Sequence, residues 1–431
     1  MNKKREQQPD ILGKAVSLEK EGNIDEAIDL LSGLDQGSSA NEHIYYALGR
    51  MYREVGRYED SIDAFDMSAI LHPDKNDSFF NNKILNEKEI SSRATVLKSK
   101  PRGMGVVLTT KCNLRCIMCN SWNTPWQIPD KLLDDIVEHL GFLERIMWLG
   151  GEVFLFERFS ELFDRAVLNQ ELHQTIVTDG LLIDSKWAAK IVRSKMNLIF
   201  SIDGFTEQVY EKIRKGAKYS RMLEKAIMVN DEKTSARNNG TGGRMTSSIN
   251  FVAMKSNYPE IDHIADFAAR YGFDSVTLTP VDYVETEENI FLMRNEKALA
   301  YIESSVREQE KKAREYGIEF NNWLPGNPAD CPPCSKESAD PKEVLSPVHE
   351  DRLFCLWPWQ HLFIDILGQV KPHCLCLDKV GNISDSTIDE IWNNSKMQIY
   401  RQAVINRDLR GLCNKVCLTS SISRDCMGLS W

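Results

Sequence analysis

No stretch of the 431-residue chain approaches the ~20 consecutive apolar residues that a membrane-spanning helix requires. The opening MNKKREQQPD is charged and has no apolar segment behind it, so it does not read as a secretory signal. Positive charge is in deficit as well. Against 63 Asp and Glu stand 53 Lys and Arg, a formal net charge of −10, whereas a nucleic-acid surface needs a basic field. These absences predict a cytoplasmic protein with neither a membrane nor a nucleic acid as partner. Eleven cysteines without an export signal then point to metal or redox use in a reducing compartment, not to a disulfide framework. With 42% apolar and 27% charged residues the composition is that of a globular protein, long enough for two or three domains.

Three of the cysteines, Cys112, Cys116 and Cys119 in TTKCNLRCIMCNSW, follow a short β-branched run (Val106, Val107, Thr109, Thr110) in a CxxxCxxC spacing. Three thiolates on one loop can hold three irons of a [4Fe–4S] cube and leave the fourth without a protein ligand, open for chemistry. Zinc is the rival reading, although its ligands usually come as paired CxxC units. The triplet resembles the signature of the radical S-adenosylmethionine (SAM) superfamily, and the resemblance runs over residues 103–280 and on, in another form, to the C-terminus. It implies an enzyme, a radical-based oxidoreductase or relative. One electron enters the cluster, SAM is cleaved to methionine and a 5′-deoxyadenosyl radical, and that radical takes a substrate hydrogen atom. A flavodoxin- or ferredoxin-type donor is the expected source of the electron.

Short apolar runs alternate with helix-like segments from residue 103 onward. Strands are predicted over 104–110, 145–149, 174–178, 197–202, 246–253 and 275–280, and helices over 130–140, 157–168, 184–193, 218–229 and 257–270. Alternating βα units imply a parallel sheet with right-handed crossovers, and the six units imply an α/β fold, a partial (β/α)6 TIM-type barrel. Its ligands belong at the C-terminal strand ends, where the cysteine loop lies. The polar DEKTSARNNGTGGR at 231–244 reads as a mobile loop, and 284–316 as one long charged helix. Ahead of the barrel, Leu18, Gly22, Ala27, Ile28 and Leu31 recur 34 residues later as Tyr52, Gly56, Ser61, Ile62 and Phe65. The second copy, with Gly49 and Pro73, resembles a tetratricopeptide repeat. Two copies are too few to stand alone, so the unit needs a further helix near 77–96 or the barrel itself. It is either a structural cap or a docking surface for a peptide, a carrier protein or a second subunit. The domains are thus 1–97 (helical, TPR-like), 98–316 (barrel) and 317–431 (small, α+β).

Gly150, Gly151 and Glu152 follow the second strand. Two glycines permit close backbone approach, and the resemblance assigns this GGE element to the SAM amino group. It likewise makes Ser201 and Asp203, in FSIDGF after the fourth strand, candidates for the SAM carboxylate and ribose. Arg214 could form a bidentate fork with that carboxylate or be a solvated helix charge. Asn250 and Thr279 are candidates for ribose or adenine, and Met118, where an aromatic residue is frequent, for packing on adenine. No residue is singled out as the group that reacts with substrate.

The other eight cysteines fall between 331 and 426. Cys355, Cys374, Cys413 and Cys417, spaced C-x18-C-x38-C-x3-C with Gly368 before the second, resemble the Twitch domain, the shortened relative of SPASM. That implies one auxiliary [4Fe–4S] cluster with every iron closed, and DEIWNNSKMQIYRQAV as the intervening helix. Cys331, Cys334, Cys376 and Cys426 could hold a second cluster, act as a redox pair (Cys331/Cys334), or be buried small hydrophobes (Cys376, Cys426). His373 is expected to pack or hydrogen-bond beside the cluster, and Trp357 and Trp359 to belong to the core. An auxiliary cluster suits net oxidation, such as a cross-link or a dehydrogenation. Three substrate readings stay open: a peptide or protein, a small molecule such as a cyclitol or sugar, and a scaffold that has lost catalysis.

Overall fold

The computed structural model describes residues 8–34, 41–119, 125–281, 287–293, 295–325, 355–409 and 411–413. Cys331, Cys334, Cys417 and Cys426 lie outside them. The chain opens with five helices: α1 (Gln8–Lys20), α2 (Ile24–Ser32), α3 (Glu42–Glu54), α4 (Tyr58–Leu71) and α5 (Ser78–Ser91). The period of 34 has a structural meaning. Gly22 and Gly56 occupy equivalent turns between paired helices, both at positive φ (86° and 81°), a conformation that favours glycine. Gly49 is small because Phe65 lies against it: a Cβ there would come within 2.8 Å of the ring.

The barrel follows: β1 (Gly103–Thr109), α6 (Leu133–His139), β2 (Arg145–Gly150), α7 (Phe159–Ala166), β3 (His173–Thr178), α8 (Ser185–Val192), β4 (Met196–Ser201), α9 (Glu207–Ile213), α10 (Tyr219–Asn238), β5 (Thr246–Ala253), α11 (Ile264–Arg270), β6 (Ser275–Pro280), α12 (Glu296–Tyr316) and β7 (Glu319–Asn322). The last part comprises α13 (Trp357–Gln360), β8 (His361–Ile364), β9 (Gln369–Lys371), β10 (Gly381–Asn382), α14 (Ile388–Trp392) and α15 (Ser395–Ile405). All strands form one sheet in the order β10-β9-β8-β1-β2-β3-β4-β5-β6-β7. From β8 across to β7 every neighbouring pair is parallel, and β9 and β10 add antiparallel. The open strand order is that of an incomplete barrel. No helix among the described residues is long and apolar enough to cross a membrane.

Three sequence expectations need correction. Residues 231–238 are helical, the end of α10, because Lys233 and Ala236 are buried there and Lys233 pairs with Asp274 at 2.5 Å. The charged helix begins at Glu296, capped by the Asn295 side chain, instead of at 284. The C-terminal helix is two helices, broken at Asn393 and Asn394, because the Asn394 side chain accepts from the Met397 N–H and starts α15 afresh. The sheet also gains two parallel strands, β7 and β8, and the EFNN of β7 carries no apolar run.

Alternation along the strands sorts the two faces. Trp148 of β2 packs edge-on against Phe159 of α7, Phe200 of β4 against Phe273, and Phe251 of β5 stacks on Phe205. These buried side chains face the helices. Met147, Leu149, Val177, Ile199, Ser201, Asn250, Val252, Thr277 and Thr279 alternate with them, are only half-buried and face the lumen. The N-terminal helices, the barrel floor and the last domain are joined by Arg102, whose N–H donates to Gln360 O (2.8 Å). This buried guanidinium meets Glu87 of α5 at 2.7 Å and Glu144 at 2.9 Å.

Candidate functional site

The cysteine loop leaves β1 at the C-terminal edge of the sheet and is bonded at two places to the chain after α9. Arg115 N–H donates to Lys215 O (2.8 Å) and Ile117 N–H to Ile213 O (3.0 Å). Cys112, Cys116 and Cys119 are all half-buried. Leu114 N–H points at the Cys112 sulfur (3.4 Å), and Arg214 Nη1 donates to the Cys116 sulfur (3.8 Å). Burial pushes the Cys112 thiol up to about 11. It raises Cys116 too, against the pull of Arg214. Among the described residues no three His, Cys, Asp or Glu are grouped as ligands of a single metal ion.

The two glycines after β2 serve the loop itself. A Cβ on Gly150 would stand 2.5 Å from Thr109 O, and one on Gly151 would stand 2.4 Å from Lys111 O. Gly151 and Glu152 donate their N–H groups to Thr109 O (2.7 Å) and Lys111 O (2.8 Å). The close approach that the glycines allow is therefore one of protein backbone to protein backbone. Glu152 is 1% exposed. Its carboxylate accepts from Thr178 Oγ1 at 2.9 Å on each oxygen, from Asp179 N–H (2.9 Å) and from Phe154 N–H (3.3 Å). Burial, reinforced by the Asp179 charge, holds its pKa above the usual carboxylate range.

Asp203 and Arg214 meet directly, and the pair is buried. Arg214 Nη2 stands 2.6 Å from Asp203 Oδ2, a contact of charges without hydrogen-bond alignment. Asp203 Oδ1 accepts from Val252 N–H (2.8 Å). Ser201 lies in register with Asn250, and Thr279 Oγ1 reaches Asn250 Oδ1 at 3.5 Å, so these three line the lumen side. Met118 packs with Ile117 against Ile213, Met254 and Val281.

Three residues of the site carry no signal that singled them out. Asp179, in the Thr178-Asp179-Gly180 turn after β3, keeps a buried Oδ2 without a hydrogen-bond partner. Tyr210 on α9 has its hydroxyl buried and unpartnered, and so does Arg214 its Nε. The Tyr210 phenol is pushed up by burial and feels Arg214, Asp179, Asp203 and Cys116, so these groups surround one place. Asn257, fully buried, donates to Asp203 O (3.0 Å) and Val252 O (2.9 Å) and joins the ends of β4 and β5. A Thr-Asp-Gly after a strand reads as a turn, and a tyrosine on a helix reads as core. Leaving a buried polar group unpaired costs about 1–3 kcal/mol. Three such atoms beside three thiols therefore suit a polar ligand bound next to an iron–sulfur cluster.

In the last domain Cys355 precedes α13, and Cys374 is exposed after β9. Cys376, two residues on, pairs by backbone with Cys413. Both ring nitrogens of His373 lie within 3.8 Å of the Cys374 sulfur, and the ring stacks on Trp357 at 4.5 Å. Trp359 is fully buried, with its indole N–H on Ala94 O (2.7 Å). Gly368, at φ 75°, turns the β8–β9 hairpin.

Residues 106–245 match the model of the radical SAM superfamily, and residues 355–419 that of SPASM, an iron–sulfur cluster-binding domain. The chain is 27% identical over 172 residues to the mycofactocin maturase MftC of Mycolicibacterium smegmatis, covering 38% of this chain and 41% of the maturase. It is 23% identical over 256 residues to a probable GTP 3',8-cyclase of Methanocaldococcus jannaschii, covering 54% and 80%. The match thus spans well under two thirds of the maturase. In fold it resembles Streptococcus suis SuiB bound to its precursor peptide SuiA (TM-score 0.54, 16% identity, 82% and 81% of the two chains). It also resembles anSMEcpe with bound AdoMet and a peptide (TM-score 0.50, 16% identity, 74% and 91%). The chain therefore carries a radical SAM domain and a SPASM iron–sulfur cluster-binding domain, which imply a [4Fe–4S] cluster and SAM at the barrel and auxiliary iron–sulfur clusters beyond it.

Proposed function

We propose that this protein is a radical SAM enzyme that modifies a peptide or protein by cross-link, dehydrogenation or epimerisation. The observation that carries the reading is the lumen beneath the cysteine loop. Its half-buried side chains mix apolar groups (Met147, Leu149, Val177, Ile199, Val252) with hydroxyls and amides (Thr175, Asn197, Ser201, Asn250, Thr277, Thr279). Among the inward residues of these strands charge occurs at the far end, with Arg145 at the first position of β2, while burial keeps the imidazole of His173 at the first position of β3 neutral. A nucleoside triphosphate would need cations near its phosphates. An uncharged stretch of peptide needs neutral donors, acceptors and apolar walls. SuiB and anSMEcpe, solved with peptides, support the same reading.

In this proposal Cys112, Cys116 and Cys119 would hold the barrel cluster. SAM would meet Glu152, Asp179, Ser201, Asp203, Tyr210, Asn250, Thr279 and Met118. When bound, the two supply a one-electron cleavage that ends in abstraction of a hydrogen atom from an unactivated C–H bond. The chain's own work is positional. Gly150 and Gly151 press the loop root against β2, Glu152 fixes Thr178 and Asp179, and Asn257 fixes Asp203. Cys355, Cys374, Cys413 and Cys417 would hold an auxiliary cluster suited to accept an electron from substrate. A flavodoxin or ferredoxin would be the external donor, in the cytoplasm. Residues 98–316 would carry the chemistry, 317–431 the auxiliary cluster, and 1–97 would grip the peptide or its carrier.

The test is anaerobic reconstitution with SAM, a reductant and the product of any short open frame beside the gene. Methionine, 5′-deoxyadenosine and a peptide altered in mass or stereochemistry are expected. Turnover with a cyclitol or sugar but not with the peptide would replace this reading by small-molecule tailoring. No 5′-deoxyadenosine with any of them would favour a scaffold.

A further inference from the structure

We infer that Arg214 is a positioning residue that sets the redox potential of the barrel cluster through Cys116, and that Asp203 opposes it. The inference rests on Cys112, Cys116 and Cys119 holding a cluster and is independent of which substrate is used. In sequence Arg214 could equally be a fork for a carboxylate. In the structure both terminal nitrogens of the guanidinium are already engaged, and only Nε is left open. The residue is 6% exposed, its Nη2 stands 2.6 Å from Asp203 Oδ2, and its Nη1 donates to the Cys116 sulfur at 3.8 Å.

The main chain holds this arrangement in place. Arg214 caps the C-terminus of α9, with its N–H on Tyr210 O (2.8 Å), and the residues on either side accept from the cysteine loop at Ile213 O and Lys215 O. The guanidinium and the Cys116 thiol are thus carried by two strips of backbone bonded to each other. Asp203 is fixed from the other side by Val252 N–H and, through its carbonyl, by Asn257. Swinging Arg214 toward another ligand would leave Asp203, with no exposed surface, as an uncompensated buried charge.

A cation that donates to a ligand sulfur draws electron density from it and favours the reduced, more negative state of the cluster. Hydrogen bonds to sulfur and net charge are the levers a protein has on cluster potential. Asp203, the counter-charge of the guanidinium, reduces the effect. Removing Arg214 and removing the Asp203 charge must therefore move the potential in opposite directions, which general damage to the site would not do.

The experiment is an EPR-monitored redox titration of the reconstituted full chain without SAM or substrate. The barrel wave is identified as the one lost in the Cys112→Ala/Cys116→Ala/Cys119→Ala variant. Arg214→Gln should lower its midpoint, Arg214→Lys should lower it less, and Asp203→Asn should raise it. SAM affinity is measured in parallel. An unchanged potential in Arg214→Gln with weakened SAM binding would overturn the inference in favour of a carboxylate fork. Shifts of the same sign in Arg214→Gln and Asp203→Asn would overturn it as well. Should Arg214→Gln fail to take up iron, Arg214→Lys and Asp203→Asn carry the same test by their opposite signs. A parent protein with no cluster lost in the triple variant would instead sink the assignment of the site.

Discussion

At the scale of single residues, the constraint on Gly151 comes from the loop root packed against it. A methyl group placed 2.4 Å from Lys111 O cannot be accommodated unless the loop root moves. Gly151→Ala should cost about 1–3 kcal/mol, in the range of overpacking. It should also lower the iron bound on reconstitution while far-UV circular dichroism stays unchanged. Gly13→Ala, inside α1 with nothing within 4 Å, should leave iron uptake unchanged and raise stability by about 0.5–1 kcal/mol, as glycine replaced in a helix does. Glu152 gives a pH prediction whose sign follows from linkage. Its pKa is raised by burial and by Asp179, so the folded chain holds a proton that the unfolded chain has already released. Its contribution to stability is fully present below the unfolded value and falls as pH rises through the folded one. In the cluster-free protein, urea unfolding between about pH 5 and pH 9 should therefore show stability declining with pH, and Glu152→Gln should flatten that decline. Equal slopes in the two proteins would refute it.

At the scale of elements, most strands were legible because each alternates against a helix layer, and β5 and β6 lie where their apolar pattern puts them. The second half of α10 was not. Its DEKTSARN is polar to the eye, and only the pairing of Lys233 with Asp274 and the burial of Ala236 reveal an inner face. Lys233→Met should lower stability by about 1.5–3 kcal/mol, because Asp274, Ser247 Oγ and Gly272 O lose the ammonium they share while Arg237 still pairs with Asp274, measured by thermal or urea unfolding. The strands β7 and β8 were hidden for a different reason. Each has four residues, and parallel pairing of β8 with β1 depends on partners about 260 positions apart, which no local pattern records. At the site the thiols and the Gly-Gly-Glu stood out by spacing. Asp179, Tyr210 and Asn257 did not, because what marks them is an unpaired or doubly paired atom, a property of the fold.

For the whole molecule, the segment 77–102 belongs structurally to everything it touches. Asn86 donates to Trp359 O (2.7 Å), Trp359 to Ala94 O (2.7 Å), Arg401 to Thr95 O (2.7 Å) and Trp392 to Ser99 O (2.8 Å). Leu97 N–H is held by Asn393 (2.8 Å). A chain lacking residues 1–76 should fold and take up iron, whereas one lacking 1–97 should be insoluble or melt far lower, because it strips all of these bonds but that to Ser99 from the last domain. Soluble yield and melting temperature decide between them. In the shorter deletion, unchanged affinity for the substrate would remove the docking role of the repeat helices.

The parallel pairing of β8 with β1 spaces the two groups of cysteines along the sheet. Gly103 stands opposite His361, so Cys355 and Cys374 lie toward the floor end of β1, while Cys112 follows its upper end. Six steps of about 3.3 Å along that strand put the two cysteine groups on the order of 20 Å apart. An electron passed between centres at the two groups would have the length of β1 to cross, so the sheet itself is the ruler that spaces them.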